Sequence, residues 1–456
     1  MAVLSLDIGT TKICALVMDE GDLSVVETRE ADNAFLSPPN SWNRCQDPET
    51  IFAVTKALVS ELAARYGSFR CMGITCQMHG ILYINSSGRA VSPLYTWQDQ
   101  SASLPYMNGK SYAACLAEFS PSPVAPGYGL ASCFYHVKTN TLPPGAVKLC
   151  AIGDYIAMRF CNSSMPLMHS TVAGSIGFFD LPNFRFAESS LERAGLDPSL
   201  LPPLTAAAAV YGETAEGIPV CPAIGDNQAS FLGAVREPKE SVSINIGTGS
   251  QISLLCSDPA RAGAMEAWSY FDGLFLLVGA SLCGGRAYAI LETFFRDTLK
   301  MAGLPAGASL YPAMNVLAME AADSAGPDPA ASLAVKTLFA GSRRDPSLRG
   351  SITNISEDNF TPAAFVAGFL RGIVNELYDY YLPLADKGNL KTLVGSGNAV
   401  RRNEALKKIL SGKFNLPLVL SPYREEAAYG AALFALAGTG FFGSVLEAQR
   451  SPGKAI

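Results

Sequence analysis

The stretch Ser5-Leu-Asp-Ile-Gly-Thr-Thr-Lys-Ile-Cys-Ala-Leu-Val17 reads as two short strands joined by a glycine-threonine turn. Val3 to Ile8 and Ile13 to Met18 are β-rich runs on either side of Gly9, Thr10, Thr11 and Lys12. Glycine tolerates positive φ and lets a ligand approach the backbone closely. Successive backbone N–H groups at such a turn form an anion nest, and the threonine hydroxyls add donors. The same device recurs about half a chain later, in Ser243-Ile-Asn-Ile-Gly-Thr-Gly-Ser-Gln-Ile-Ser-Leu-Leu255. Its turn is Gly247, Thr248, Gly249 and Ser250. This period far exceeds the roughly 20 to 50 residues of solenoid repeats, so it implies two related halves. The first copy has Asp7 where the second has Asn245, so only one keeps a carboxylate suited to Mg²⁺. One such turn alone is an ordinary hairpin, but two matched copies point to a clamp for a nucleotide.

Working outward, Arg236-Glu-Pro-Lys-Glu240 is a charged, proline-bearing connector just before the second hairpin. It divides the chain into domains 1–238 and 239–456. Ile51 to Tyr66 has helical apolar spacing, and Cys71 to Cys76 follows as a strand. Pro362 to Leu382 reads as a helix before the strand Thr392–Val394, the turn Gly395-Ser-Gly-Asn398, and a helix over Asn403 to Leu410. This alternation indicates α/β layers. Ala302 to Pro329, rich in Ala, Gly and Pro, is expected to be a flexible insertion. Ala427 to Leu446 lacks charge, but its small residues and the Gly438-Thr-Gly440 break favour a buried helix over a membrane span.

Composition narrows the function. The 456 residues carry a net charge of −6, and 16% are charged. That excludes a disordered chain and, with no basic run, argues against a nucleic-acid partner. The 11 cysteines form no C-x-x-C pair, and the three histidines are far apart. Reduced cytoplasmic thiols are therefore expected, rather than a disulfide framework or a zinc site. Asp7 interrupts the only apolar run near the start, which argues against a secretory signal. Gly109-Lys-Ser111 has the tail of a P-loop, but Leu104 replaces its first glycine. Gly395 to Val400 starts like a dinucleotide fingerprint, but Val400 stands in place of the third glycine.

Together these pieces resemble the FGGY carbohydrate kinases of the actin-like ATPase superfamily. Leu6-Asp-Ile-Gly-Thr-Thr-Lys12 is similar to the family's first phosphate loop, and Asn245-Ile-Gly-Thr-Gly249 to its second. Cys76-Gln-Met-His-Gly80 is similar to its sugar-binding turn, and Tyr95-Thr-Trp-Gln-Asp99 to its W-x-D motif. Ile224-Gly-Asp-Asn-Gln228 resembles the segment of the catalytic aspartate, Gly395-Ser-Gly-Asn398 the adenosine motif, and Glu426 to Ala432 the late helix. Ser101 stands where relatives usually have an arginine. The resemblance implies an α/β, two-domain actin-like ATPase (ribonuclease H-like) fold, with duplicated halves around a central cleft. It places sugar mostly on the first domain and ATP mostly on the second.

The implied reaction is ATP-dependent phosphorylation of the terminal hydroxyl of a ketose. Further stretches, such as Gly279-Ala-Ser-Leu-Cys-Gly-Gly285, resemble members of the family that act on sedoheptulose, and this resemblance favours sedoheptulose over xylulose as acceptor. Asp226 is the candidate base, expected at the exposed N-cap of a helix over Ala229 to Val235. Asp7 is assigned to Mg²⁺. The ATP set is Gly9, Thr10, Thr11, Lys12, Gly247, Thr248, Gly249, Ser250, Gly285, Gly395, Gly397 and Asn398. Gln77 and His79 offer directional hydrogen bonds to sugar hydroxyls, Trp97 a flat wall for a C–H face, and Asp99 an acceptor, with Met78 and Asp226 completing the sugar set. A monomer or homodimer is expected. The alternative class is a non-kinase actin-like ATPase, for which a polar small-molecule site would be idle.

Overall fold

The computed structural model describes residues 1–324, 332–342, 345, 347–384 and 389–452. The chain forms two units. One comprises Met1–Arg236, Trp268–Phe275 and Glu425–Ile456, and the other Glu237–Ala267 and Leu276–Arg424.

In the first unit, β1 (Ala2–Ile8) and β2 (Lys12–Asp19) form the hairpin read from the sequence, with Ile8 opposite Ile13 and Asp7 opposite Cys14. β3 (Val25–Asp32) continues antiparallel on β2. The chain then turns into α1 (Pro48–Tyr66), capped by Asp47, whose side chain accepts from the Glu49 amide, with proline as the first helical residue. β4 (Phe69–Cys76) returns parallel to β1. Val3 to Leu6, Ile13 to Met18 and Cys71 to Cys76 are continuously buried, as befits strands covered on both faces. On the far side of β4 lies the short β5 (Ile224–Gly225), also parallel. Thr75 is the register partner of both Asp7 and Ile224, and Cys76 of both Ile8 and Gly225. Parallel pairing therefore brings the C-terminal ends of β1, β4 and β5 to one edge of the sheet, where α/β folds build their sites. Among the helices that bear on this edge are α2 (Ile152–Phe160), α3 (Ser170–Ala173) and α4 (Asp226–Ala234).

The second unit repeats the device. β6 (Ser241–Ile246) and β7 (Ser250–Cys256) form a hairpin with Ile246 opposite Ser250. β8 (Phe275–Ser281) lies beyond β7 and leads into α5 (Gly285–Met301). After α6 (Tyr311–Ser324) and α7 (Pro362–Tyr381), β9 (Thr392–Ser396) pairs parallel with β6, as β4 does with β1. Then come α8 (Gly397–Arg402), α9 (Glu404–Phe414) and β10 (Leu418–Leu420). Val242, Ile244 and Leu393 from the sheet pack with Leu370, Ile373 and Leu377 of α7 in one core.

Two expectations are corrected here. Ala302 to Pro329 is not simply a flexible insertion, because its alanine-rich middle forms α6; residues 325–329 lie outside the described residues. The turn expected over Gly395-Ser-Gly-Asn398 is already helical from Gly397, ahead of the helix expected from Asn403. Gly397, at a φ of 83°, opens α8 inside the glycine turn, and Asn403 caps α9 by accepting from the Leu406 amide.

The chain ends in the first unit with α10 (Glu426–Gly438) and α11 (Val445–Arg450). Every residue from Ala427 to Ala437 is buried. The uncharged stretch is thus a core helix, and among the described residues no helix is long and apolar enough to cross a membrane.

Candidate active site

At the sheet edge of the first unit, Asp7 and Asp226 leave strands two positions apart, roughly 10 Å by strand spacing. Asp226 is corrected from the N-cap to the first helical residue of α4; Gly225 is the N-cap, with φ −68° and ψ 143°. The carboxyl is half-buried, and desolvation pushes its pKa up to about 6, against the pull of the amides at the helix start. Asp7 rises further, to about 7, through desolvation first and then the charges of Asp226 and Glu425. Its Oδ1 is buried with no hydrogen-bond partner. An orphaned carboxylate oxygen beside other carboxylates fits a divalent cation with oxygen ligands.

Cys14, Glu30 and Glu425 also offer ligand atoms within 4.8 Å of one another. There, however, the Lys12 ammonium already supplies the positive charge, at 2.8 Å from Glu30 and 3.0 Å from Glu425. Lys12 thus anchors the turn to carboxylates.

The Gly9–Lys12 turn is fixed by a hydrogen-bond net. Trp97 Nε1 donates to Thr10 Oγ1 at 2.9 Å, and Thr10 Oγ1 donates to Gln77 Oε1 at 3.2 Å. Gln77 Nε2 donates to Gln46 Oε1 at 2.8 Å, and Gln46 Nε2 closes the ring on Thr10 O at 2.7 Å. Asn33 adds Nδ2 to Gly9 O at 2.8 Å. The turn, the residue after β4 and the W-x-D loop are therefore one polar unit. Gln46 and Asn33 carry no motif, and only their burial as uncharged polar residues marks them.

His79 is half-buried at a φ of 73°. Its ring stacks on Tyr128 at 4.5 Å and meets the edge of Trp268 at 5.8 Å. Met78 is buried, its sulfur lying where a Cβ on Gly225 would come within 2.9 Å. Trp97 is 45% exposed. Asp99 is fully buried, with Oδ2 accepting from Asn43 Nδ2 at 3.2 Å and the Arg44 amide at 3.0 Å. Oδ1 accepts from the Ser101 amide at 3.0 Å and the Ser101 hydroxyl at 2.5 Å. Ser101 therefore closes its own loop onto Asp99.

In the second unit, the Gly285 and Arg286 amides donate to Gly247 O at 2.8 Å and Thr248 O at 3.0 Å, so the start of α5 buttresses the second turn. A Cβ on Gly284 would lie 2.3 Å from Gly249 O, which requires glycine there. Thr248 and Asn398 are exposed, and the Ser250 hydroxyl is buried without a partner. A Cβ on Gly397 would meet Ile246 O at 2.5 Å, so the turn after β9 packs directly on the end of β6. Gly395 is buried against Val400.

Comparison with known proteins gives the family and the fold. Residues 2–233 match the N-terminal domain of the FGGY family of carbohydrate kinases, and residues 242–439 match its C-terminal domain. The chain is 28% identical to a sedoheptulokinase of Mus musculus, over 95% of this chain and 97% of that protein. Among solved structures it is similar to a xylulose kinase from Rhodospirillum rubrum, at 20% identity and a TM-score of 0.83, covering 99% of this chain and 92% of that one. It is also similar to a Plasmodium falciparum glycerol kinase with ADP, at 16% identity and a TM-score of 0.80, covering 98% and 92%. The chain belongs to the FGGY family of carbohydrate kinases, and it is an ATP-dependent sugar kinase with an actin-like fold.

Proposed function

We propose that the protein transfers the γ-phosphoryl group of ATP to the terminal primary hydroxyl of a ketose, with sedoheptulose favoured and xylulose next. The observation that carries this reading is the position of Asp226. It stands at the common edge of β1, β4 and β5, beside the Gln77–His79 turn, with a carboxyl that ionises near pH 6. Such a group is charged at neutral pH and more basic than an ordinary aspartate, as a general base requires.

Phosphoryl transfer asks for in-line positioning, charge neutralisation and a proton acceptor. Asp226 takes the hydroxyl proton as the sugar oxygen bonds to phosphorus and the bond to ADP breaks. Asp7 would hold Mg²⁺, which neutralises phosphate charge when bound. Its buried, unpartnered Oδ1 supports that role. Gln77, Met78, His79, Trp97 and Asp99 shape the sugar face, the indole offering a wall to C–H groups. Asp99 contributes by fixing the loop that presents Trp97. The Gly9–Lys12 and Gly247–Ser250 turns receive phosphate oxygens, and Gly285, Gly395, Gly397 and Asn398 form the nucleotide seat. The eleven unpaired thiols suit a reducing cytoplasm.

The 28% identity to a sedoheptulokinase favours that ketose, while the fold is shared with xylulose and glycerol kinases. The test is ADP production with Mg-ATP against sedoheptulose, xylulose, ribulose, fructose, glycerol and gluconate. Strong stimulation by sedoheptulose, abolished by Asp226→Asn, is expected. Stimulation by another sugar reassigns the substrate, and near-normal turnover in Asp226→Asn removes the base assignment.

A further inference from the structure

One short segment of the first unit, from Met168 through α3 to Ile176, touches both the Asp226 turn and the His79 turn, and no motif marks it. Thr171 is buried, with Oγ1 at 3.1 Å from the Gly225 amide and 2.9 Å from His169 Nδ1. The Thr171 amide also donates to that Nδ1, at 3.2 Å. Nδ1 is therefore an acceptor, the Thr171 hydroxyl donates to it, and the hydroxyl oxygen accepts the Gly225 N–H. Burial pushes His169 down to about 4, so the ring is neutral at physiological pH. Gly225 is the residue from which Asp226 departs. Gln228 Nε2 reinforces the joint by donating to Thr171 O at 3.4 Å and Ser269 O at 3.0 Å.

At the other end of the segment, Ser175 O lies 2.8 Å from His79 Nδ1, and Ser175 Oγ accepts from the His79 amide at 3.0 Å. The same hydroxyl donates to Val172 O at 2.7 Å, which orients it. A left-handed backbone at a non-glycine residue persists only where its surroundings hold it. Ser175 grips His79 by both backbone and ring.

We propose that Thr171 and Ser175 are positioning residues for phosphoryl transfer: Thr171 fixes the backbone that aims the Asp226 carboxylate, and Ser175 fixes the ring and proton of His79. This rests on the roles proposed for Asp226 and His79. Three hydrogen bonds to one segment, from the Gly225 amide and from the amide and ring of His79, set base and sugar ligand relative to each other. With its proton on Nδ1, His79 is an acceptor at Nε2, suited to a sugar hydroxyl.

The test separates aiming from binding. Thr171→Val keeps the shape and removes the hydroxyl, Thr171→Ser keeps the hydroxyl, and Ser175→Ala removes the acceptor of the His79 amide. Each is assayed with Mg-ATP and whichever of sedoheptulose, xylulose, ribulose or glycerol the native enzyme turns over fastest. Thr171→Val is expected to lower kcat by about tenfold or more with both KM values within about twofold, and Thr171→Ser to restore kcat. Ser175→Ala is expected to raise the sugar KM about fivefold while kcat and the ATP KM stay near native. No change, the same change in both variants, or a serine as poor as valine would overturn the proposal. Should the valine variant not fold, Thr171→Ala against Thr171→Ser makes the same comparison. A reading independent of turnover is the ¹⁵N spectrum of the three histidines, assigned with His79→Gln and His169→Gln. His79 is expected to carry its proton on Nδ1 and His169 on Nε2, and the opposite tautomer at either site overturns that half. Asp226→Asn in the same assay tests the base separately: near-native turnover there removes the base, and the tautomers still decide the segment's role.

Discussion

At the scale of single residues, two desolvated carboxyls make the protein answer to pH in different ways. Asp226 has its pKa pushed up to about 6 by desolvation. In the proposed role of base it works ionised, so kcat/KM is expected to fall as pH drops through about 6, and the acid limb should vanish with the activity in Asp226→Asn. That substitution should cost roughly 10² to 10⁴ in kcat, with ATP binding by calorimetry largely kept. Asp154, in the first turn of α2, is fully buried, and desolvation raises its pKa to about 8. Its Oδ2 accepts the Ala151 amide at 3.0 Å, while Oδ1 has no partner. The folded chain keeps this proton where the unfolded chain has lost it. The contribution of Asp154 to stability is therefore best near pH 4 and is lost as pH rises towards 8, by up to about 1.4 kcal/mol per pH unit. Asp154→Asn cannot ionise. Its orphaned amide adds a cost independent of pH, so the readout is the slope: urea midpoints of variant and native protein should diverge in the variant's favour from pH 5 to pH 8. Parallel curves would mean that Asp154 is already ionised in the fold.

At the scale of elements, the hairpins were the most legible part. Gly9 and Gly247 sit between β-rich runs, and local chemistry decides such turns. Helix α1 was legible through its apolar spacing from Ile51, though not its start at Pro48, and α7 was legible from Pro362 onward. What was not legible depends on contacts distant in sequence. Gln46 lies beside Asp47 without a motif, yet it closes the net around Thr10, because α1 starts next to the Gly9–Lys12 turn. Thr171 and Ser175 are ordinary residues whose partners lie far along the chain. The seating of α10 is of this kind too. It approaches α4 through glycine, and a Cβ on Gly430 would lie 2.0 Å from Ala229 O. The two backbones must separate to admit a methyl group. Gly430→Ala is expected to cost at least about 1 to 3 kcal/mol in chemical denaturation. Gly412, on an exposed face of α9, has nothing within 4 Å of a Cβ position, so Gly412→Ala should add about 0.5 to 1 kcal/mol instead. Equal effects at the two sites would mean that close backbone approach does not govern the first.

At the scale of the whole molecule, chain order and spatial order differ. The first unit begins with Met1 but is completed by Glu425–Ile456, after the whole second unit has been made. This return is not a peripheral tail. From Ala427 to Ala437 no residue of α10 reaches solvent appreciably, and its neighbours include Ala229 and Gly233 of α4 and Gly73 of β4. Downstream, Gln449 of α11 accepts from the Tyr270 hydroxyl at 3.0 Å and donates to Val235 O at 2.8 Å, so the end of α4 depends on it as well. Without residues 425–456, the helix that begins with Asp226 would expose an apolar face along its length, and β4 would lose cover above Gly73. Among the described residues, the core of the second unit is built from residues 242–418, upstream of the cut. A chain ending at residue 424 is therefore expected to keep slow amide exchange in β6, β7 and β9 and to lose it in β1, β2 and β4. Sugar-dependent ADP formation should be absent. Protection retained in β1 and β4 of the shortened chain would show that the first unit holds its sheet without α10, and that the burial of this helix adds stability to a fold already complete.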